Sequence, residues 1–81
     1  MLENELSLRE LRPGDRAEVK AIRAPGGMAR RLLEIGLIEG TQVECLGRAP
    51  SGDPTAFLIR GAVIALRRQD SGTVSVQNQA P

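Results

Sequence analysis

Cys45 is the single thiol of the chain, and histidine, tyrosine and tryptophan are all missing, so few side chains can do covalent or acid–base chemistry near neutral pH. A cysteine becomes a nucleophile when a base or cationic environment holds it as thiolate. With no histidine to do this, Cys45 reads as a small hydrophobe on the inward side of a strand. The carboxylates Glu34, Glu39, Glu44 and Asp53 are scattered, and no two share a spacing that suggests paired acid–base work. Transition-metal sites draw on His and Cys, so one cysteine alone cannot build one within a monomer. A carboxylate-only site, or one shared between copies, stays open. Pro25-Gly26-Gly27 precedes a helical pattern but lacks the Lys and following Ser or Thr of a nucleotide-binding loop. These glycines are read as helix-entry residues. No catalysis, metal site or cofactor is expected.

Binding chemistry is better represented. Ten of the eleven cationic residues are arginine, whose planar fork suits carboxylate and phosphate partners. The net charge is only +1, however, so counterion release would contribute little to nucleic-acid binding. Arg48, Arg60, Arg67 and Arg68 could line one side, but bases need stacking platforms, and the lone ring, Phe57, belongs to an inward set. No nucleic-acid partner is therefore expected. The remaining reading is protein contact. Arginine combined with apolar side chains makes interface cores. The expected contact surface joins the polar face of the helix (Arg30, Arg31 and Glu34) to the apolar Leu37 and Leu58.

The elements that position these residues can be read along the chain. Ser7 and Glu10, with Leu6 and Leu11 outside them, form a helix-start signature that Arg12-Pro13-Gly14-Asp15 cuts short after one turn. Ala17, Val19 and Ala21 alternate as a half-buried strand, and Ile22 breaks the period, so a bulge is expected near there. Met28 to Ile35 is the one convincing helix, with Met28, Leu32 and Ile35 on one face and Gly36 placed as its left-handed C-cap. Leu37 would then fold back on Leu32. Thr41–Arg48, Thr55–Arg60, Ala62–Arg67 and Thr73–Val76 read as four further strands, with turns at Glu39-Gly40, Gly61 and Asp70-Ser71-Gly72.

One helical turn, a strand, a helix and four more strands predict a mainly β fold. Five short antiparallel strands close most easily into a small SH3-like barrel, which hides the sheet edges. The expected domain spans 6–77, with flexible tails at 1–5 and 78–81. Phe57, Val43, Ile59, Ile64, Leu66 and Leu32 are the expected core, each worth ~2–5 kcal/mol against truncation to alanine. No apolar run reaches the ~20 residues of a membrane span and the N-terminus lacks a signal-peptide pattern, so a cytoplasmic location is expected. Any membrane role would run through a partner.

Several of these turn residues, taken in order, resemble a known family. Leu8-Arg9-Glu10-Leu11-Arg12-Pro13-Gly14-Asp15 is similar to the opening of FeoA proteins, the small accessory proteins of bacterial ferrous iron transport. The resemblance continues through Gly27-Met28-Ala29-Arg30-Arg31-Leu32-Leu33-Glu34-Ile35-Gly36-Leu37, then Glu39-Gly40-Thr41 and Val43-Glu44. It returns in Ala49-Pro50-Ser51-Gly52-Asp53-Pro54, Arg60-Gly61 and Ile64-Ala65-Leu66-Arg67, and so covers roughly residues 6 to 76. It implies an SH3-like barrel acting beside FeoB, the membrane transporter with a cytoplasmic GTP-binding part, by direct contact. The same kind of domain ends iron- and manganese-dependent repressors, so a small nucleic-acid-binding or repressor-type module is the alternative. The chain departs from the family pattern at Cys45, normally aliphatic, and at Leu58, Ala62 and Val63, where outward polar residues are usual. The last three would enlarge an exposed apolar patch.

Overall fold

Backbone pairing, more than helix packing, organises this chain, because aliphatic residues alternate along most of its length. The computed structural model describes residues 5–79. Six strands, β1 (Glu5–Ser7), β2 (Arg16–Ile22), β3 (Gln42–Arg48), β4 (Thr55–Ile59), β5 (Ala62–Leu66) and β6 (Val74–Gln79), form one sheet in the order β1-β6-β2-β3-β4-β5. Every pairing is antiparallel. A 3-10 turn at Leu8–Glu10 and the helices α1 (Gly26–Glu34) and α2 (Arg68–Ser71) complete the described residues.

The mainly β, antiparallel architecture is as expected. Its closure is not. Among the described residues no ladder joins β1 to β5, so the sheet keeps two edges instead of closing into a barrel. The sixth strand is β1, which pairs Leu6 with Val76 and Ser7 with Ser75. Three residues are too few to carry a readable alternation. β6 pairs with β2 as far as Arg16↔Gln79, so Asn78 and Gln79 lie in a strand and not in the expected flexible tail; Glu5 likewise belongs to β1. Residues 1–4 and 80–81 of the expected tails lie outside the described residues.

The core collects the inward residue of each strand pair. Ala17, Val19, Val43, Cys45, Phe57, Ile59, Leu66, Val74 and Val76 are buried, joined by Leu8, Leu11, Leu32 and Leu37 from the turns and α1. Ile64, expected in the core, is only partly buried, because it sits on the edge strand β5 with a neighbour on one side. The expected bulge in β2 lies at Lys20, where the β6 register shifts between Val19 and Ala21. A second, unexpected shift falls at Leu46, between Cys45 and Gly47 of β3.

The turns obey their residues. Asp15 donates its amide to the Arg12 carbonyl at 2.9 Å, with Gly14 at φ +94° in the third position, as a type II turn requires. α1 ends at a Schellman motif: the Leu37 amide reaches the Leu32 carbonyl at 3.1 Å and the Gly36 amide reaches that of Leu33 at 3.0 Å. Gly36 has φ +105°, a conformation costly for any residue with a Cβ. Asp70-Ser71-Gly72, expected as a plain turn, closes the short helix α2, whose first amide, that of Arg68, donates to the Asp53 carboxylate at 2.9 Å. That partner is fifteen residues away, so nothing local announces it.

Candidate functional site

The short helix α1 shows one polar face to solvent. Its apolar stripe of Leu32, with Met28 and Ile35 partly buried beside it, packs onto the core, which leaves Arg30, Arg31 and Glu34 exposed. All three side chains are exposed on that face.

Leu37 is not. It is 0% exposed, because the Schellman closure turns it back into the core as the lid of the helix end. It cannot touch a partner, and its place in the expected surface is withdrawn. The exposed apolar residue of α1 is instead Leu33, 49% exposed and one turn on from Arg30. Sequence pattern sets Leu33 beside the buried stripe, and only the exact rotation of a two-turn helix decides its side.

Leu58 belongs to a different surface. It points away from Phe57 and Ile59, which are inward, and pairs across the outer face with Glu44 on β3 and Val63 on β5. It is half-buried and lines a depression of about 310 Å³ with Arg16, Val43, Glu44 and Arg60. Arg16 and Glu44 form an ion pair across that face at 3.7 Å. Val63 is 67% exposed and Leu46 40%, so the outer face of β3, β4 and β5 is an apolar strip. Val63 was foreshadowed by an apolar residue at an outward position. Ala62, expected outward beside it, instead pairs with the inward Ile59 and so lies on the opposite side of the sheet, because successive strand residues alternate. Leu46 was hidden by the bulge. The helix end and this hairpin meet at Gly36, where a Cβ would fall 2.5 Å from Arg60 Cδ.

The charged groups mostly hold the fold. Glu10 accepts the Ser7 amide at 3.1 Å, Asp15 accepts the Arg12 amide at 2.9 Å, and Asp53 holds α2 as described. Arg48 donates to the Leu11 carbonyl at 3.1 Å and shares a cleft of about 360 Å³ with Arg9, Asp53 and Arg68. Arg60 stands apart from that cleft, against Gly36, so the four arginines noted in the sequence do not form one stripe. Cys45 is buried, with its Sγ 3.7 Å from the Leu11 carbonyl. Burial pushes its thiol up, outweighing the nearby Arg48, which lowers it. Such a thiol is held in its unreactive protonated form. Among the described residues, no three His, Cys, Asp or Glu side chains gather as a metal-binding group. No described helix is long and apolar enough to cross a membrane.

Comparison with known proteins narrows the reading. A family model described as the FeoA domain matches residues 6–78. A Fe(2+) transport protein A/Fe(2+) transporter FeoB fusion protein of Porphyromonas gingivalis is 31% identical over 72 residues, 89% of this chain but only 8% of that protein. The solution structure of a Chlorobium tepidum FeoA protein is 36% identical with a TM-score of 0.86, over 93% of this chain and 71% of that one. A crystal structure of Stenotrophomonas maltophilia FeoA with zinc, described as a procaryotic SH3 domain protein, is 29% identical with a TM-score of 0.80, over 89% of each chain. The fold is thus SH3-like. It recurs, as a fold alone, in a manganese-dependent transcriptional repressor at 23% identity and a TM-score of 0.84, where the match covers 37% of that chain.

Proposed function

Since the chain belongs to the FeoA domain family, the accessory domains of ferrous iron transport, we propose that it works without catalysis, by binding and modulating a FeoB-type transporter from the cytoplasmic side. The observation that carries this is the Porphyromonas gingivalis fusion, in which a homologous segment shares one polypeptide with the transporter. Tethering raises the effective concentration of two parts to about the millimolar range, which favours parts that act on each other. The contact surface we assign is the polar face of α1, Arg30, Arg31 and Glu34, with Leu33 in the place first given to Leu37. Leu58 lies on the outer sheet face, beyond that surface.

A repressor-type or nucleic-acid-binding role is the second reading, and the shared repressor fold is what favours it. Against it, Phe57 is fully buried, so no ring is available to stack on a base. Co-purification with the transporter's cytoplasmic part, with and without a GTP analogue, tests the first reading. Double charge reversal, Arg30→Glu with Arg31→Glu, is expected to weaken that association by about tenfold or more while leaving the melting temperature unchanged. An intact fold with unchanged association removes the assigned surface; absence of association by the wild-type protein removes the function.

A further inference from the structure

Of the two edges that the sheet keeps among the described residues, β5 is a five-residue strand without the usual guards. Natural edge strands are guarded by charges, proline or a bulge, or are very short. β5, Ala62-Val63-Ile64-Ala65-Leu66, has no charge, no proline and no bulge, and its register with β4 is unbroken over five pairs. The hairpin that precedes it is a two-residue turn, with Arg60 at φ 50° and Gly61 at φ 84°, so Ile59 and Ala62 are its hydrogen-bonded closing pair. Antiparallel pairs alternate, so Ile64 and Leu66 also bond to β4 while Val63 and Ala65 turn their amide and carbonyl groups outward. Above them the side chains of Val63, Leu58 and Ala65 form an apolar shelf.

The ends of the strand say what fits there. Arg60 stands before it, and Arg67 and Arg68 follow it. A second copy paired antiparallel along the strand about Ile64 would bring Arg60 of one copy towards the Arg67-Arg68 end of the other at both ends, and like charges brought together repel. A strand with carboxylates beyond each end meets arginine at both. We propose that β5 is a docking edge for an extended segment of another protein, apolar at alternate positions and acidic at both ends, which adds a seventh strand through Val63 and Ala65. Five residues of strand span about 17 Å, which sets the length of the segment. This goes beyond the transporter reading, since it names a site and a partner chemistry that hold whoever supplies the segment.

The test is a titration of the isotope-labelled full chain with two synthetic peptides, EEVTVTVEE and KKVTVTVKK, followed by backbone amide NMR and hydrogen exchange. The acidic peptide is expected to bind below about 1 mM, to shift the Val63 and Ala65 amides and to slow their exchange about tenfold; the basic one binds at least about tenfold more weakly. Val63→Pro removes an outward donor without touching the β4 ladder, and should abolish binding with the fold intact. Arg67→Glu, which needs no backbone change, should weaken the acidic peptide and strengthen the basic one. Equal binding of the two peptides, shifts confined to other surfaces, or a dimer through β5 in sedimentation overturns the proposal. With the transporter's cytoplasmic part as competitor, displacement of the acidic peptide identifies the transporter as the source of the segment. Transporter binding that neither competes nor responds to Val63→Pro leaves the transporter reading standing and assigns the edge to another partner, whereas failure of the transporter to bind leaves the peptide arms to decide the edge alone.

Discussion

At the scale of single residues, the chain's one thiol acts through its burial. The Cys45 side chain is raised above its ordinary range because the core disfavours the thiolate. A group whose pKa is higher folded than unfolded gives stability that is fully present below the unfolded value, about 8.5 for a thiol, and lost as pH climbs through the folded value. Urea unfolding followed from pH 7 to 10 should therefore show a fall in stability above about pH 8.5 that Cys45→Ala lacks. At pH 8 a thiol reagent should label the native chain no faster than it opens. Rapid labelling without opening would show that the thiol is not enclosed. Residue identity alone pointed to this inert role, since a cysteine without histidine has no activating base. Leu37 was harder to place, because the same spacing serves either a helix lid or a protruding contact, and only the backbone bonds to Leu32 and Leu33 decide between them.

At the scale of elements, the helix end and the hairpin depend on each other. Gly36 is required twice, once for its left-handed backbone and once because the Arg60 stem occupies the space of a side chain. Gly40 has a similar φ of +93° with open space around it. Both alanine variants should lose about 1–2 kcal/mol from backbone strain. Gly36→Ala should lose more, unless Arg60 swings clear, and chemical denaturation of the pair measures the difference. Equal losses would mean that the Arg60 contact adds nothing. Such elements were legible wherever a local rule governs: the Arg12–Asp15 turn, the Schellman end of α1 and the alternation of β3 and β4. They were illegible where partners are distant. β1 is too short to alternate and exists because β6 offers it a ladder, and α2 starts where Asp53 meets it. The candidate surface followed the same rule. Arg30, Arg31 and Glu34 could be read from helical period and Val63 from its outward place in β5, whereas the apolar neighbours Leu33 and Leu46 depended on rotation and a bulge.

At the scale of the whole molecule, an aliphatic core is surrounded by carboxylates that hold the fold. The described acidic groups are already engaged by amides or by Arg16 at several positions, among them Glu10, Asp15, Glu44 and Asp53. The isolated chain, freed of any tag, is expected to bind ferrous iron no more tightly than about millimolar, given that such sites are normally built from imidazole and thiolate. Anaerobic calorimetry measures this, and one-to-one binding in the micromolar range would show a site that shared or carboxylate ligands provide. The sheet order has one more consequence. β1 lies beside β6, with Glu5 opposite Gln77, so the two ends of the folded unit emerge side by side at one edge, far in strand order from β5. A unit anchored in this way can hang from a larger polypeptide by either end, or be spliced into a loop through both, without stretching its own sheet. Its free rim would then still face outward, like a tool held by the handle.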